Sequence, residues 1–482
     1  MAHSKMFSIT SNCGIIRISS DDFYLQPRIW PIDIPTVLKK VKEQKTDDGI
    51  TFLLETQSCH IESAFELCKR LDDEKIKAKV VLKGCCGSFA TVLALWAESV
   101  SMLPGALCLP IDPTYPMHGY PSVFDTFSNV PRHLNLAEFE SLFSFLQKEV
   151  PHHYKDLHKE IVLSVGSNKL QEAEKRCEAL RDRIEKLLRQ KNLNRSEELV
   201  DFITSGCGSF EHWISRRKLE EFGVKISEEP SIPECGTVEP IILLPGLHDA
   251  VDKKLEVQFQ NIANLLNTHV LVIGKDRNMD FNLLKKCNDL LWSNRNSFGK
   301  KNLTVLLDSF GGSETNAFAL TEVLKDYFPQ YQVIVTQDAR SSAALFCICS
   351  PKVLYRKSSV FGCFGQILAD YTRPGLNIPE SSIRQGLKKV SSEESRTQLI
   401  RNLFKVVHPI QIGQVLRAGS LVRGLVSEVN QGKMTPSALD FFTREIYPHS
   451  YPLTPKEVAE LLPLNNFEEV SPELEKALRE IS

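Results

Sequence analysis

Short apolar runs recur along the chain. Each is followed by a polar or glycine-containing loop and then by a stretch with apolar residues three and four positions apart. Ile50–Leu54 and Leu303–Leu307 are apolar enough to read as buried parallel strands. After the second run, Ala317, Leu320, Val323 and Leu324 have the spacing of one helix face. Further strands are expected at Ala78–Leu82 and Gln332–Thr336, each leading through a loop into a helix of small residues. Strands alternating with helices imply right-handed βαβ units. The expected fold class is therefore α/β with mostly parallel sheets.

The two series superimpose without a gap at a shift of 253 residues. Thr51 falls on Thr304, Leu53 on Leu306 and Leu54 on Leu307; Ala64-Phe65 falls on Ala317-Phe318. Further along, Leu67 falls on Leu320, Leu71 on Leu324, Val80 on Val333 and Ser88 on Ser341. The chain reads as a tandem duplication. Residues 227–237, rich in proline and polar side chains and lacking periodicity, form the expected linker between domains 1–226 and 238–482. Within the first domain, Asn168–Asn192 carries Leu170, Ala173, Cys177, Leu180, Ile184 and Leu187 on one stripe, the mark of a long amphipathic helix. That helix either packs on its own sheet, the reading preferred, or reaches a partner chain.

Composition narrows the function without naming it. With 58 Lys and Arg against 60 Asp and Glu among 482 residues, the formal charge of −2 gives no bulk attraction to nucleic acid or to an anionic membrane. No apolar run reaches the ~18–20 residues of a transmembrane helix, and Met1-Ala2-His3-Ser4-Lys5 does not open a secretory signal. The 13 cysteines are odd in number and form no CxxC pair. Cys85-Cys86 and Cys347-Ile348-Cys349 therefore read as small core residues, and neither a metal nor another cofactor is expected. Reduced thiols fit a soluble, cytoplasmic protein.

Two segments carry candidate chemistry. Asp308-Ser309-Phe310-Gly311-Gly312 lies between a strand and a helix, and paired glycines leave backbone N–H groups unobstructed by Cβ. Such donors suit a developing oxyanion, although a tight strand-to-helix turn uses the same residues. Asp338-Ala339-Arg340-Ser341-Ser342-Ala343-Ala344-Leu345 sets a serine at the start of a small-residue helix, on the sheet edge where open α/β sheets place ligands. Taken alone, that serine reads better as an N-cap. Taken together, the two segments supply a nucleophile and its oxyanion donors from adjacent strands, the arrangement of acyl transfer.

These segments resemble the Clp/crotonase superfamily. The C-terminal half is similar to the serine dehydrogenase proteinase family, relatives of signal-peptide peptidase A. Besides Asp308–Gly312 and Arg340–Leu345, the likeness rests on Pro448-His449-Ser450-Tyr451-Pro452-Leu453-Thr454-Pro455-Lys456-Glu457, with weaker support from Ser359–Gly362 and His408–Gly413. The resemblance implies Ser341 as nucleophile and Gly311 and Gly312 as the oxyanion hole. For the general base it offers His449, ranked first, or Lys389, next to Lys388, in the interval where signal-peptide peptidases carry a lysine. Where Clp-type peptidases place a histidine, this chain has Gln366, and Gly362–Ile367 lacks the acidic residue of the family's Gly-Pro-Ile-Asp-Pro-Gln.

The N-terminal half resembles a degenerate Clp-type peptidase. Gly84–Phe89 is similar to the nucleophile segment, with Ser88 at the serine, and Phe210–Ser215 to the closing segment, with Glu211 at the aspartate. Ser88 and Glu211 thus mark a possible second site. The oxyanion glycines have become Ser58-Cys59, and Ile111 stands at the histidine, with His118 out of register. The favoured reading is a serine endopeptidase acting on a protein or peptide substrate, in a homo-oligomer of the kind such proteins form. The rivals are a catalytically inactive pseudopeptidase scaffold and, ranked last, an acyl-CoA enzyme of the crotonase branch.

Overall fold

A computed structural model describes residues 8–12, 15–19, 34–44, 46, 49–56, 61–111, 115–116, 133–134, 136–165, 167–189, 196–206, 213–227, 242–243, 253–275, 277–364, 367–369, 377–429, 442, 451–461 and 467–481. The chain forms two compact units, one of residues 1–137 and 162–230 and one of residues 138–161 and 231–482. Among the described residues, no helix is long and apolar enough to cross a membrane.

In the first unit six strands run in the order Ser8–Asn12, Ile15–Ser19, Ile50–Glu55, Ala78–Leu82, Ser99–Met102 and Ile226–Ser227. Only the first pair is antiparallel. The second unit orders Ile242–Leu243, His269–Ile273, Leu303–Ser309, Gln332–Ala339, Lys352–Tyr355 and Phe467–Glu469 in one parallel sheet. The short strand Val360–Phe361 adds to the far end of Gln332–Ala339. The expected α/β class with mostly parallel sheets is the fold observed, and its architecture occurs twice.

The ungapped shift seen in the sequence survives as strand register. In the first unit Thr51 lies beside Lys79, and Lys79 beside Ser99. In the second, Thr304 lies beside Gln332, and Gln332 beside Lys352. Every one of these positions is displaced by the same 253 residues. A one-residue slip would turn each side chain to the other face of the sheet, so the shared register reflects a shared pattern of buried positions.

The second unit is the more thoroughly covered. Leu303–Leu307 is buried throughout, as expected of a strand with helices on both faces. The helix Glu314–Tyr327 buries every residue from Thr315 to Leu324, and its start is capped by Ser313, whose Oγ accepts from the Asn316 N–H at 3.4 Å. All eight residues of the helix Ser342–Cys349 are buried. Cys347 and Cys349 belong to that core, and burial pushes the Cys349 thiol up to about 12. His269 is likewise a core residue: its Nε2–H donates to the Phe298 carbonyl at 2.7 Å, and burial lowers its pKa.

The amphipathic helix expected at 168–192 is Ser167–Arg189, with Leu170, Ala173, Leu180, Ile184 and Leu188 buried. It packs on its own unit: the Arg183 guanidinium sits 3.9 Å over the Phe65 ring and donates to both Glu62 carboxylate oxygens. The expected domain limits miss one feature. Residues 138–161 stand within the first repeat in sequence yet fold into the second unit. There Arg401 donates to Glu160 at 2.7 Å and Glu393 accepts the His152 N–H at 2.6 Å. Gly413 gives the Glu138 carbonyl its room, since a Cβ at that glycine would lie 2.1 Å from the oxygen.

The last helix, Pro472–Arg479, is tied to this sheet by an ion pair. Arg356, 6% exposed, donates to both oxygens of Glu475 at 3.0 and 3.2 Å and to the Thr336 carbonyl at 3.1 Å. Glu475→Gln is expected to cost about 2–3 kcal/mol, because it removes the carboxylate charge that faces a buried guanidinium. The hydrogen bond from Arg356 holds the Glu475 carboxyl below its ordinary value of 4.5. On acidification the unfolded chain takes up this proton first. The stabilisation is therefore complete above about pH 4.5 and is lost as pH falls through the folded value. Denaturant unfolding of the two proteins should differ at pH 7 and converge in acid.

Candidate active site

Ser341 occupies the single-residue step between the Arg340 end of one strand connection and the first turn of the helix Ser342–Cys349. Its backbone has φ 50° and ψ −128°, a left-handed conformation that glycine favours and an L side chain resists. Strain of this kind costs on the order of 1–3 kcal/mol and persists only where the surroundings impose it. An N-cap serine would instead have extended backbone and accept an N–H from the first turn. Ser341 makes no such cap hydrogen bond. Its side chain is half-buried, and no described group hydrogen bonds to its Oγ.

The glycine loop meets this serine directly. Gly311 has φ 103°, and a Cβ there would lie 2.6 Å from the Ser341 Cβ, 2.6 Å from the Arg340 carbonyl oxygen and 3.0 Å from the Ser342 nitrogen. Gly312, at φ 154°, presses against the Met279 backbone in the same way. The strands Leu303–Ser309 and Gln332–Ala339 are neighbours, and a register shift between Leu307 and Ser309 brings Ser309 beside Ala339. Arg340 then closes the junction, its N–H donating to the Ser309 carbonyl at 3.0 Å. Two loops separated in sequence are thus held backbone to backbone.

The amides in this junction are not equivalent. The Gly311 N–H donates to Ser309 Oγ at 3.1 Å, and Ser309 Oγ in turn donates to the Arg277 carbonyl at 3.0 Å. The Gly311 amide, expected as an oxyanion donor, is bonded to Ser309 Oγ here, and the absence of a side chain at Gly311 lets the two loops approach. The Gly312 N–H has no partner among the described residues. The Ser342 N–H, as the first of its helix, has none within the helix and none elsewhere among the described residues. Nothing in the sequence marked this second amide; the only sign of it is the residue's place directly after Ser341 at a helix start.

The candidate bases stand differently. Lys388 and Lys389 are exposed on the last turn of the helix Glu380–Lys389, and no hydrogen bond or ion pair joins either to the residues around Ser341. His449 and Gln366 lie outside the described residues. The segment that follows His449 is described, however, and it reaches the Ser341 end of the sheet. Leu453 exchanges two backbone hydrogen bonds with Phe361, at 2.9 and 2.7 Å, and Phe361 is the register partner of Ala339. At about 4.8 Å between strands, that places Leu453 roughly 10 Å from the strand that delivers Ser341.

The corresponding position in the first unit is built otherwise. Ser88 is the first residue of the helix Ser88–Trp96, capped by Gly87 at an ordinary φ of −79°. It is 1% exposed, and its Oγ donates to the Pro110 carbonyl at 2.5 Å. The Ser88 hydroxyl is thus enclosed and bonded, whereas Ser341 is half-buried with no described partner for its Oγ, despite the matching register. Ile111, at the expected histidine position, is fully buried. Glu211, Ser58, Cys59 and His118 lie outside the described residues.

No protein-family model matches the chain, and no curated protein matches it. Among solved structures the chain is similar to the ClpP protease catalytic domain from Plasmodium falciparum, at 12% identity and a TM-score of 0.29, over 47% of this chain and 95% of that one. A mutant of the membrane-bound stomatin-specific protease 1510-N aligns at 12% identity and a TM-score of 0.28, over 43% of this chain and 82% of that one. A ClpP1 mutant from Listeria monocytogenes aligns at 12% identity and a TM-score of 0.27, covering 45% and 99%. Each similarity spans less than half of this chain.

Charged groups ring the junction. Asp338 accepts from Arg340 Nε at 2.7 Å and from Lys275 Nζ at 3.4 Å, while Asp308 accepts the Asp338 N–H at 3.1 Å. Phe310 is 49% exposed at the tip of the glycine loop, with Lys275 Nζ 4.8 Å and the Arg340 guanidinium carbon 5.5 Å from its ring centre.

Proposed function

We propose that the second unit is a serine peptidase that hydrolyses peptide bonds of protein or peptide substrates, with Ser341 as nucleophile. The observation that carries this reading is a strained, non-glycine serine at a strand-to-helix step, its hydroxyl not engaged in capping and its backbone in contact with a glycine loop. Ser341 Oγ attacks the peptide carbonyl carbon while its proton passes to the base. Negative charge develops on the carbonyl oxygen, for which the Gly312 and Ser342 amides are the proposed donors. The base returns the proton to the leaving amine, and water then hydrolyses the ester formed on Ser341. The proposed base is His449, since imidazole is the side chain most suited to proton transfer near neutral pH; Lys389 is the second candidate.

The first unit is proposed to be catalytically silent, since its Ser88 hydroxyl is bonded and buried. A phosphonylating serine probe incubated with the full chain tests the reading. The expected adduct maps to Ser341 and disappears in Ser341→Ala. Failure to label, or labelling elsewhere at the same rate, would favour a pseudopeptidase scaffold.

A further inference from the structure

We propose that Lys275, Phe310 and Arg340 form a recognition site for a carboxylate on the substrate chain, immediately beside Ser341. The proposal deepens the peptidase reading and rests on it for the identity of the ligand as a peptide. Phe310 precedes Gly311, which touches Ser341, and Arg340 precedes Ser341 itself, so a group bound between them lies within a few residues of the bond to be cut.

The cluster is held in place before any ligand arrives. A single, largely buried carboxylate, Asp338, binds both cations, at 2.7 Å from Arg340 Nε and 3.4 Å from Lys275 Nζ. The Phe310 ring lies within cation–π range of both. Fixing two long side chains in advance removes much of the ordering cost that binding would otherwise incur. Only Nε of Arg340 is taken; neither Nη atom has a partner among the described residues, and the side chain is 35% exposed. The planar edge that remains offers paired N–H donors, the geometry that a carboxylate accepts. Lys275, 45% exposed, adds a second charge on the same rim. A solvent-facing Phe310 supplies an apolar platform for the chain carrying that carboxylate.

The carboxylate has two possible sources, an Asp or Glu side chain and the C-terminus of a peptide, and the test separates them. The full chain carrying Ser341→Ala is titrated, by fluorescence anisotropy, into three labelled peptides of one length. One is acidic with an amidated end, one is neutral with a free terminal carboxylate, and one is neutral and amidated. At low ionic strength at least one carboxylate peptide is expected to bind roughly tenfold tighter than the third, the difference shrinking with added salt. Lys275→Gln with Arg340→Gln, in a protein whose melting is unchanged, is expected to abolish the difference.

Equal binding of all three peptides, binding of none, or a preference that survives the double substitution overturns the proposal. The two readings fail separately. Probe labelling at Ser341 with no charge preference removes only the recognition site. A charge preference in a wild-type protein that neither labels nor cleaves removes only the catalysis.

Discussion

Ser341→Ala is expected to lower hydrolysis of an unfolded protein substrate by about 10⁴–10⁶-fold, the scale on which serine peptidases lose turnover without their nucleophile. The same substitution should leave thermal melting almost unchanged, because the Ser341 hydroxyl caps nothing and alanine carries the same Cβ into the same strained φ and ψ. Ser341→Gly separates the two roles of the position. It removes the nucleophile as well, but it also relieves a conformation that only glycine adopts freely, and should stabilise the fold by about 1 kcal/mol. On the peptidase proposal this strain is retained for the sake of the site, and the two variants test that directly. Turnover retained in either variant would end the assignment of Ser341 as nucleophile.

Gly311→Ala is expected to damage both stability and reactivity. The added Cβ meets the Arg340 carbonyl oxygen and the Ser341 Cβ at 2.6 Å each, and one of those contacts is with backbone that has nowhere to yield. The residue would also have to hold φ 103°, where an L side chain is strained. Together these should cost about 2–4 kcal/mol, read as a lowered denaturation midpoint. Whatever fraction stays folded must part the glycine loop from Ser341, so probe labelling should fall much further than the folded population does. If labelling instead follows the folded population, Gly311 serves the fold alone and the junction is not the catalytic element.

Several features were readable before any coordinates because they follow from local pattern. The strand Ala78–Leu82 has the limits its apolar run gives, and Ile50 and Leu303 open strands as expected. The repeat was readable because buried positions on paired strands must match on the same face, which preserves both spacing and residue class. Ser341 and the glycine loop were readable only as a pair: each alone is ordinary for a strand-to-helix turn, but together they supply a hydroxyl and backbone amides from adjacent strands. The state of the Gly311 amide was not readable in the same way, because it depends on Ser309, whose side chain turns back to accept its N–H. Ser88 shows the same limit. Its place in the repeat matches that of Ser341, yet its hydroxyl is bonded to Pro110, which lies on a different strand connection.

Periodicity and composition by themselves determined an α/β chain with mostly parallel strands and a strand pattern that recurs, with a glycine loop and a helix-start serine in the second occurrence. They did so because a buried strand and an amphipathic helix leave their periods in the sequence regardless of what packs against them. Tertiary structure alone decided that residues 138–161 join the second unit, that Ser341 is strained while Ser88 is relaxed, and that Lys275 and Arg340 share Asp338. Each of those depends on atoms brought together from distant parts of the chain, and no spacing along the chain encodes a contact of that kind.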